Sequence, residues 1–512
     1  MQRGTRPSGA PGCDRERSRF EALGAHRIGP DFHGIFRDRD GHLVSEAGTP
    51  DGGLDFETLE AVLPRFTGAG PRYTSYPTVP VWKPSFPESD HARALSSCGR
   101  TGEVSLYAHI PFCRSLCHFC ACNRVITRDS DLPERYLSAI GQEIQTTRSS
   151  VEGTPQCIQL HWGGGTPTHL KAGQIERLFR SMTDSFPLAP DAEVSIEVDP
   201  RVTDEDHVRA LAECGFNRIS LGVQDTNPDT QAAIHRIQPF ELTRALTEMA
   251  RNAGIPHINY DLVYGLPHQT EASFSRTITE VLSAEPDRIA LYGYAHVTWV
   301  AKQQRGFERI DLPDPRLRIR ILLQAIRQLV GAGYRFIGLD HFAKPDDELC
   351  EAFDSGTLRR NFMGYTTLDG VDTIAFGPSG ISELPGAYVQ AQKNLSDWFD
   401  RVEGGRLAPD RGIWLSRDDE MRRWIIRQIM CRGRLRASEV ESRFGGSYQV
   451  DFEQAIDGLR EIEKEGVLVL SPEGDLEVTS LGRLFLRNVA MAFDAYLEPA
   501  AEGGARVFSQ TV

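Results

Sequence analysis

Short apolar runs alternate with longer stretches of helical periodicity between about residues 106 and 381, and this alternation limits the possible folds most strongly. The runs predicted as strands are Val104–Ile110, Cys157–Trp162, Glu193–Val198, Arg218–Val223, Ile258–Val263 and Arg288–Tyr294. The predicted helices are Pro133–Thr147, Ala172–Phe186, Glu205–Cys214, Phe240–Ala253, Glu271–Ser283 and Asp314–Ala332. Such alternation indicates βαβ units on a parallel sheet, so an α/β fold with a partial TIM-type (β/α)6 barrel is expected.

Polar and glycine residues follow the predicted strands at their carboxyl ends, where barrels of this kind place their chemistry. In strand order they are a cysteine-rich loop, Gly163-Gly164-Gly165-Thr166, Glu197 with Asp199, Gln224 with Asp225, Asp261, and His296. If these residues had only structural roles, there would be no reason to expect them together at one edge of the sheet. The sequence therefore predicts an active site at one mouth of the barrel.

Length and composition are those of an ordinary globular protein with two or three domains. Of 512 residues, 40% are hydrophobic and 25% are charged, and the formal net charge is −14. An acidic chain is not suited to broad nucleic-acid binding, although a local basic pocket for an anionic substrate is compatible with it. No window is long and apolar enough to predict a membrane span.

Four regions are predicted along the chain. Residues 1–53 are rich in Arg, Gly, Pro and Asp and are expected to be a disordered extension. Residues 54–101 are expected to cover the barrel mouth, residues 102–385 to form the barrel, and residues 386–512 to form a mainly helical, winged-helix-like domain. This last region combines predicted helices Glu420–Cys431, Ala437–Phe444 and Phe452–Gly466, a hairpin around Pro472-Glu473-Gly474, and a final helix Ser480–Leu497.

A winged-helix-like unit has two possible uses. Its third helix could bind DNA, or its apolar face could pack against the rest of the protein. That face carries Phe452, Ile456, Leu459 and Ile462. A fold alone does not fix function, so both uses stay open, and packing fits the acidic chain better.

Four of the ten cysteines fall within ten positions, which is typical of one metal site in a reducing compartment. Cys113, Cys117 and Cys120 have the spacing C-x3-C-x2-C, which can ligate three irons of a [4Fe–4S] cluster and leave the fourth iron open. Tetrahedral zinc is the alternative. The sequence has no second paired-cysteine knuckle, which favours the cluster, and it assigns no task to Cys122.

The neighbouring motifs suit a small cofactor that carries amino and carboxylate groups. Gly163-Gly164-Gly165-Thr166 could bring bare backbone close to such a ligand, or could be only a tight turn. Glu197 could bind a cationic group, and the bidentate fork of Arg236 could bind a carboxylate. Without the cysteines, structural ion pairing would be the better interpretation of both residues.

These motifs resemble the radical S-adenosylmethionine enzymes, and the resemblance extends from about residue 70 to the C-terminus. The chain is most similar to the oxygen-independent coproporphyrinogen III oxidase family. The motifs that carry this resemblance include Gly70-Pro-Arg-Tyr73-Thr-Ser-Tyr76-Pro77, Tyr107-x-His-Ile-Pro-Phe, Cys120-x-Cys122-Asn123, Leu160-His-Trp-Gly-Gly-Gly-Thr-Pro-Thr168, Ile196-Glu-Val-Asp-Pro-Arg201, Asp261-Leu-Val-Tyr-Gly-Leu-Pro267, Phe336-Ile-Gly-Leu-Asp-His-Phe342 and Arg360-Asn-Phe-Met-Gly-Tyr-Thr-Thr367.

The resemblance implies a reaction and its cofactors. Cys113, Cys117 and Cys120 would ligate one [4Fe–4S] cluster, whose open iron would bind S-adenosylmethionine. Reductive cleavage of that cofactor would give a 5′-deoxyadenosyl radical, which would take a hydrogen from the β-carbon of a substrate propionate. Loss of CO2 and an electron would leave a vinyl group. Two rounds would convert coproporphyrinogen III into protoporphyrinogen IX in haem biosynthesis.

The resemblance also implies two bound S-adenosylmethionine molecules. The residues that match positions near the cluster-bound molecule are Tyr107, Gly164, Glu197 and Ile381. Those that match positions near the second are Phe119, Gly165, Thr166, Gln224, Arg236, Asp261 and Ala295. Two departures lie close by, because Ala121 stands where the family usually has Gly and Gly293 stands where Asn is common.

The implied partners are coproporphyrinogen III and a reductant protein such as flavodoxin or ferredoxin, with no nucleic acid and no membrane span. A cytoplasmic monomer is expected. Two rivals share the fold: a related radical enzyme that methylates or opens a tetrapyrrole, and a haem-trafficking chaperone. Known chaperone relatives lack the Cys120-x-Cys122-Asn123 signature and the Tyr73-Thr-Ser-Tyr76-Pro77 segment, both of which are present in this chain.

Overall fold

The computed structural model describes residues 56–66, 68–299, 301–307, 311–497, 508 and 511, and the backbone of three short strands nearer the N-terminus. These strands, His26–Arg27, Ile35–Arg37 and Leu43–Ser45, pair antiparallel in chain order. They fall within the predicted extension 1–53, whose other residues lie outside the described part of the chain. The predicted disorder of that extension stays a prediction.

One large sheet of 13 strands organises the protein. In chain order its strands are β1 (Lys83–Pro84), β2 (Glu103–Ile110), β3 (Gln156–Gly164), β4 (Leu188–Val198), β5 (Arg218–Gln224), β6 (His257–Tyr264), β7 (Arg288–Gly293), β8 (Arg335–Gly338), β9 (His341–Ala343), β10 (Asp372–Phe376), β11 (Ile381–Leu384), β12 (Ala387–Ala391) and β13 (Pro409–Trp414). Their spatial order is β8-β9-β7-β6-β5-β4-β3-β2-β10-β11-β12-β13-β1.

The centre of this sheet is parallel and its two flanks are antiparallel. Strands β2 to β7 pair in parallel with their sequence neighbours, and β10 adds a further parallel strand beside β2. The remaining strands pair antiparallel, so the sheet is mixed and its two edge strands, β8 and β1, leave it open. The six predicted strands and the predicted partial barrel are thereby confirmed.

Helices cover the parallel strands on their outer side. Their bounds are Asp131–Ser150, Ala172–Ser185, Glu205–Cys214, Pro228–Ala233, Phe240–Asn252, Glu271–Ser283, Pro315–Gly331, Glu348–Ser355 and Leu395–Val402. The second shows why they pack, since it buries Ile175, Leu178, Phe179 and Met182 at helical spacing. Strand β2 is buried along almost its whole length, and apolar residues alternate along it with polar ones such as Ser105 and His109.

The C-terminal unit contains helices Arg417–Arg432, Ala437–Phe444, Tyr448–Asp451 and Glu453–Glu463, with a small three-stranded sheet. The sheet strands are Arg434–Leu435, Leu468–Leu470 and Leu476–Val478. This arrangement confirms the winged-helix-like prediction. Phe452, Ile456 and Leu459 are buried in the core of this unit, so the apolar face of the third helix is used for packing.

The predicted final helix Ser480–Leu497 is wrong in its extent. The structure has a 3₁₀ turn at Gly482–Phe485 and a short helix at Leu486–Met491. Gly482 packs directly against the carbonyl oxygen of Val467, and this close approach keeps the first turn tight.

The N-terminal segment links the C-terminal unit to the edge of the sheet. It contains helices Phe56–Val62 and Glu88–Ser96, and Tyr73 donates a hydrogen bond to Asp494 at 3.0 Å. Trp82 then stacks on Tyr388 of β12 at 5.3 Å between ring centroids. Its predicted role as a cover of the barrel mouth stays a prediction, as does the boundary at residue 385, which falls between the paired strands β11 and β12.

Candidate active site

The cysteine loop begins at the carboxyl end of β2. Strand Phe112–Cys113 pairs in parallel with Val125–Ile126, so the chain leaves after Cys113 and returns beside the same strand at Val125. Phe112 is fully buried and meets the ring of Tyr136 edge-on at 5.3 Å between centroids. The loop is therefore anchored at both ends while its thiols lie over the mouth.

Two arginines and one aspartate surround the thiol of Cys117. Arg201 and Arg236 each direct a guanidinium nitrogen at its sulfur, at 3.6 and 3.7 Å. Asp199 accepts from both guanidinium groups, at 2.6 Å from Arg201 and 3.1 Å from Arg236. Burial acts to raise the pKa of Asp199, but Arg236 and then Arg201 lower it to about 2, so the carboxylate stays ionised.

The other two cluster cysteines have contrasting environments. Cys113 contacts the hydroxyl of Thr166 at 3.4 Å, and burial raises the pKa of its thiol to about 11. A hydrogen bond from Cys122 lowers the pKa of the Cys120 thiol below its ordinary value. Cys122, for which the sequence offered no task, is thus a direct neighbour of a predicted cluster ligand. Metal binding requires thiolates, so a cluster would displace the proton of Cys113.

The backbone of the glycine triplet after β3 packs closely against neighbouring side chains, and we call this stretch of backbone the cradle. The amide of Gly164 donates to Oε2 of Glu197 at 3.1 Å, and a Cβ on Gly163 would lie 2.9 Å from the same carboxylate. Gly164 has φ +116, and a Cβ there would lie 2.7 Å from the His109 ring. The triplet therefore needs glycine both for conformation and for close approach.

Tyr107 and His109 form a chain of hydrogen bonds beside this cradle. Nε2 of His109 lies 2.9 Å from the carbonyl oxygen of Asn123, which can only accept. Nε2 therefore carries the proton, and Nδ1 accepts from the Tyr107 hydroxyl at 3.1 Å. Burial lowers the pKa of His109 and raises that of Tyr107, so both side chains are neutral at physiological pH.

A cavity of about 280 Å³ opens beside these residues. The sequence-predicted residues Tyr107, Glu197 and Ile381 line it, and Gly164 is bonded to Glu197. The four residues predicted near the cluster-bound cofactor therefore lie around one cavity. The opposite wall contains Tyr292, Asn361, Phe362 and Met363.

Four of the seven residues predicted near a second cofactor belong to the cysteine loop or are connected to it. Gln304 donates to the carbonyl oxygens of both Phe119 and Ala295, at 2.8 and 3.1 Å, and so holds these two segments together. Gly165 packs on the loop backbone, where a Cβ would lie 2.6 Å from the Pro111 carbonyl oxygen. Thr166 contacts Cys113, as described above.

Of the three further residues of this set, Gln224 lies on β5, Asp261 lies on β6, and Arg236 follows the helix Pro228–Ala233. Arg236 donates to the carbonyl oxygen of Gly222 at 2.7 Å, while its buried Nε has no hydrogen-bond partner among the described residues. Gln224 ends β5 with φ +67, which turns the chain at the mouth. Asp261 bonds to Ser220 and Asn259, and burial, then the charge of Glu197, raise its pKa to about 6.

Sequence reasoning missed part of this site. It placed Asp199 at a strand end but did not connect Asp199 and Arg201 with the thiol of Cys117. It also missed Tyr292, Ser379 and Glu383, which line the cavity from β7 and from the region of β11. The motif Arg360-Asn-Phe-Met-Gly could have indicated that residues 361–363 line the cavity, because it places amide and apolar side chains next to one another.

No three His, Cys, Asp or Glu side chains in the described part of the chain are close enough to hold a single metal ion. A [4Fe–4S] cluster is different, because each of its thiolate ligands binds a separate iron and the sulfur atoms lie farther apart. The anchored loop, the three neighbouring thiols and the guanidinium donors at Cys117 fit such a cluster.

Comparison with known proteins gives the same result over most of the chain. Residues 107–281 match the radical SAM superfamily, and residues 415–485 match the HemN C-terminal domain. The chain is 42% identical to the oxygen-independent coproporphyrinogen III oxidase of Salmonella typhimurium, covering 86% of this chain and 96% of the relative. The Helicobacter pylori protein of the same name is 39% identical, over 90% of this chain and 99% of the relative.

The chain belongs to the oxygen-independent coproporphyrinogen III oxidase family. A solved structure of the Escherichia coli coproporphyrinogen III oxidase, described as a radical SAM enzyme, is 41% identical and superposes with a TM-score of 0.80. It covers 83% of this chain and 98% of its own. Membership implies an oxidoreductase that uses a [4Fe–4S] cluster and S-adenosylmethionine. Among the described residues, no helix has the length and apolar character that crossing a membrane requires.

Proposed function

We propose that this protein converts two propionates of coproporphyrinogen III into vinyl groups and so forms protoporphyrinogen IX without oxygen. The C-x3-C-x2-C loop beside a cavity at the carboxyl ends of parallel strands carries this proposal, in a chain of this family. The Cys120-x-Cys122-Asn123 signature and the packed Tyr73-Thr-Ser-Tyr76-Pro77 segment speak against the chaperone alternative.

Cys113, Cys117 and Cys120 would ligate the cluster, and Tyr107, Gly164, Glu197 and Ile381 would surround the S-adenosylmethionine on its open iron. When bound, the reduced cluster and this cofactor supply a 5′-deoxyadenosyl radical that can remove hydrogen from an unactivated carbon. Glu197 offers a carboxylate to a cationic amino group, and the amide of Gly164 holds that carboxylate in place at 3.1 Å. Neutral Tyr107 and His109 add no positive charge that would repel a cationic cofactor.

A second S-adenosylmethionine would lie beside the first, near Phe119, Gly165, Thr166, Gln224, Arg236, Asp261 and Ala295. The buried, unpartnered Nε of Arg236 is a donor available to an anionic group there. The connection of Phe119 to Ala295 through Gln304 would form one side of this second site.

The electron that the chemistry needs would come from a reductant protein such as flavodoxin or ferredoxin. The stretch from Cys113 to Arg128 supports this, because it carries Arg114, Arg124 and Arg128 and no acidic residue, in a chain of net charge −14. Such a local basic surface suits an acidic electron donor.

We further propose a monomer in the cytoplasm, where the isolated cysteines would stay reduced.

Anaerobic turnover tests this proposal. The reconstituted protein is incubated with coproporphyrinogen III, S-adenosylmethionine and dithionite, and both the porphyrin and the nucleoside products are analysed. Protoporphyrinogen IX together with 5′-deoxyadenosine is the expected result. S-adenosylhomocysteine with a methylated tetrapyrrole would move the function to the methylating alternative, and tight haem binding without cleavage of either compound would favour the chaperone.

A further inference from the structure

Three arginines to which the family resemblance assigned no role lie near residues that line the cavity. The guanidinium of Arg72 lies 5.6 Å from the ring centroid of Tyr292, which lines the cavity. That of Arg318 lies 5.4 Å from the ring centroid of Tyr264, at the carboxyl end of β6. Arg360 directly precedes the cavity-lining residues 361–363. We call these three residues the arginine end.

Two of the three guanidinium groups have donors without acceptors. Nε of Arg318, and both Nε and Nη1 of Arg360, are buried and have no hydrogen-bond partner among the described residues. Arg360 as a residue is only 4% exposed. Buried charged donors are normally satisfied, because leaving one unpaired is costly, so these atoms indicate an acceptor that the protein itself does not provide.

Positive charge exceeds negative charge in this region. Asp340 is already used by Arg72 and His341, and these neighbours hold its pKa below the ordinary value although burial acts to raise it. Burial, and then the charges of Arg72 and Arg360, lower the pKa of the nearby Arg487 to about 9. The excess of positive charge in this region therefore favours the binding of an anion.

Gly293 leaves room for the guanidinium group of Arg318. A Cβ on Gly293 would lie 2.9 Å from Nη2 of Arg318, so any larger side chain there would displace the guanidinium. The family commonly carries Asn at this position. Arg318 itself is fixed at the start of helix Pro315–Gly331, where Asp314 caps the helix by accepting from the amide of Leu317 at 2.9 Å.

We infer that the arginine end is a carboxylate-binding site, which holds propionates of the tetrapyrrole that are not reacting. Guanidinium forks match carboxylates in geometry and form charge-assisted hydrogen bonds. The inference rests on the proposed function and adds to it the residues that would orient the substrate. A propionate anchored there would leave another propionate of the same ring system to face the cysteines.

Binding of coproporphyrin III, the stable oxidised form of the substrate, tests this inference by fluorescence titration of the reconstituted protein. Arg318→Gln should weaken binding about ten- to a hundredfold, the usual effect of losing a charge-assisted hydrogen bond. Arg316→Gln, on the same helix but largely exposed and paired with Glu60, should leave binding unchanged.

The uncharged tetramethyl ester of the porphyrin separates carboxylate recognition from general packing. The wild type should bind the ester more weakly than the acid, and Arg318→Gln should leave affinity for the ester unchanged. If Arg318→Gln and Arg360→Gln both bind the acid as well as the wild type does, while retaining their iron and their melting temperature, the inference is overturned and the proposed function stands. A wild type that neither binds nor converts the tetrapyrrole would instead remove the proposed function.

Discussion

The two ends of the active-site cavity differ in their charge and in how they are built. The cysteine end has thiols, the carboxylate of Glu197 and backbone amides, all supplied by the carboxyl ends of neighbouring parallel strands. The arginine end has guanidinium groups from three segments that are distant in sequence. The difference suggests that the two ends have different roles: the cysteine end generates the radical, and the arginine end orients the substrate.

Loss of a cluster ligand should produce the largest difference between the two ends, because it should remove the activity of the cysteine end and leave substrate binding at the arginine end unchanged. Cys117→Ser should abolish formation of 5′-deoxyadenosine and reduce the iron content, because a serine hydroxyl is a poor cluster ligand. Binding of coproporphyrin III should stay at the wild-type level. Iron analysis, absorption spectra and porphyrin titration check this.

Cys214→Ser is the matched control, since this half-buried thiol lies on an outer helix and should keep both properties. Loss of porphyrin binding in Cys117→Ser, without loss of folded structure, would show that the two ends are not independent.

Glu143 is buried next to Gly377, which follows β10, and it should make stability depend on pH. It accepts from the amide of Gly377 at 2.7 Å and from the indole of Trp398 at 3.0 Å, and burial raises its pKa from 4.5 to about 7. Between these values only the folded state keeps the proton, so stability falls as pH rises and is lower by roughly 3 kcal/mol above pH 7.

Anaerobic urea unfolding at pH 5 and pH 8 measures this effect. Glu143→Gln should lose most of that pH dependence, although one of its two hydrogen bonds is also lost. Glu152→Gln, at an exposed position, should retain the wild-type dependence. Equal pH dependence in Glu143→Gln and the wild type would contradict the assignment.

Glu197→Gln should weaken S-adenosylmethionine binding by about 2 kcal/mol, because a charge-assisted hydrogen bond to the cofactor amino group becomes a neutral one. Calorimetry on the anaerobic, cluster-loaded protein measures the loss. Coproporphyrin III binding should not change, and Glu213→Gln on an outer helix serves as the control. Equal losses of cofactor and porphyrin affinity would place Glu197 between the two ends rather than at the cysteine end.

Gly164→Ala should have the smallest effect and should also be confined to the cysteine end. The positive φ and the contact of the new Cβ with His109 should cost roughly 1–2 kcal/mol of stability. Thermal unfolding measures this. Gly173→Ala, within a helix and with open space around it, should be neutral or stabilising. A neutral Gly164→Ala would show that the cradle is more adaptable than its geometry indicates.

The two ends also differed in how far they could be predicted. The cysteine end was predictable because successive βα units place their strand ends side by side, so the cysteine loop, Gly164 and Glu197 fall together once the alternation is recognised. Tyr107 and Ile381 line the same cavity as Glu197, although the resemblance alone supplied these two residues.

The arginine end was not predictable, because no periodicity relates Arg72, Arg318 and Arg360. Their proximity depends on how the N-terminal segment, the helix after β7 and the short strand Arg359–Asn361 pack in three dimensions. The departure at Gly293 was visible in the sequence, but its consequence, room for the Arg318 guanidinium, appears only in the structure.

Isotope transfer tests the central claim most directly. Coproporphyrinogen III deuterated at the β-carbons of its propionates is incubated anaerobically with the reduced protein and S-adenosylmethionine. If the cysteine end generates a radical that attacks one propionate while another propionate of the same substrate is held at the arginine end, deuterium should appear in 5′-deoxyadenosine as vinyl groups form. 5′-Deoxyadenosine free of deuterium, formed alongside the vinyl product, would contradict the account.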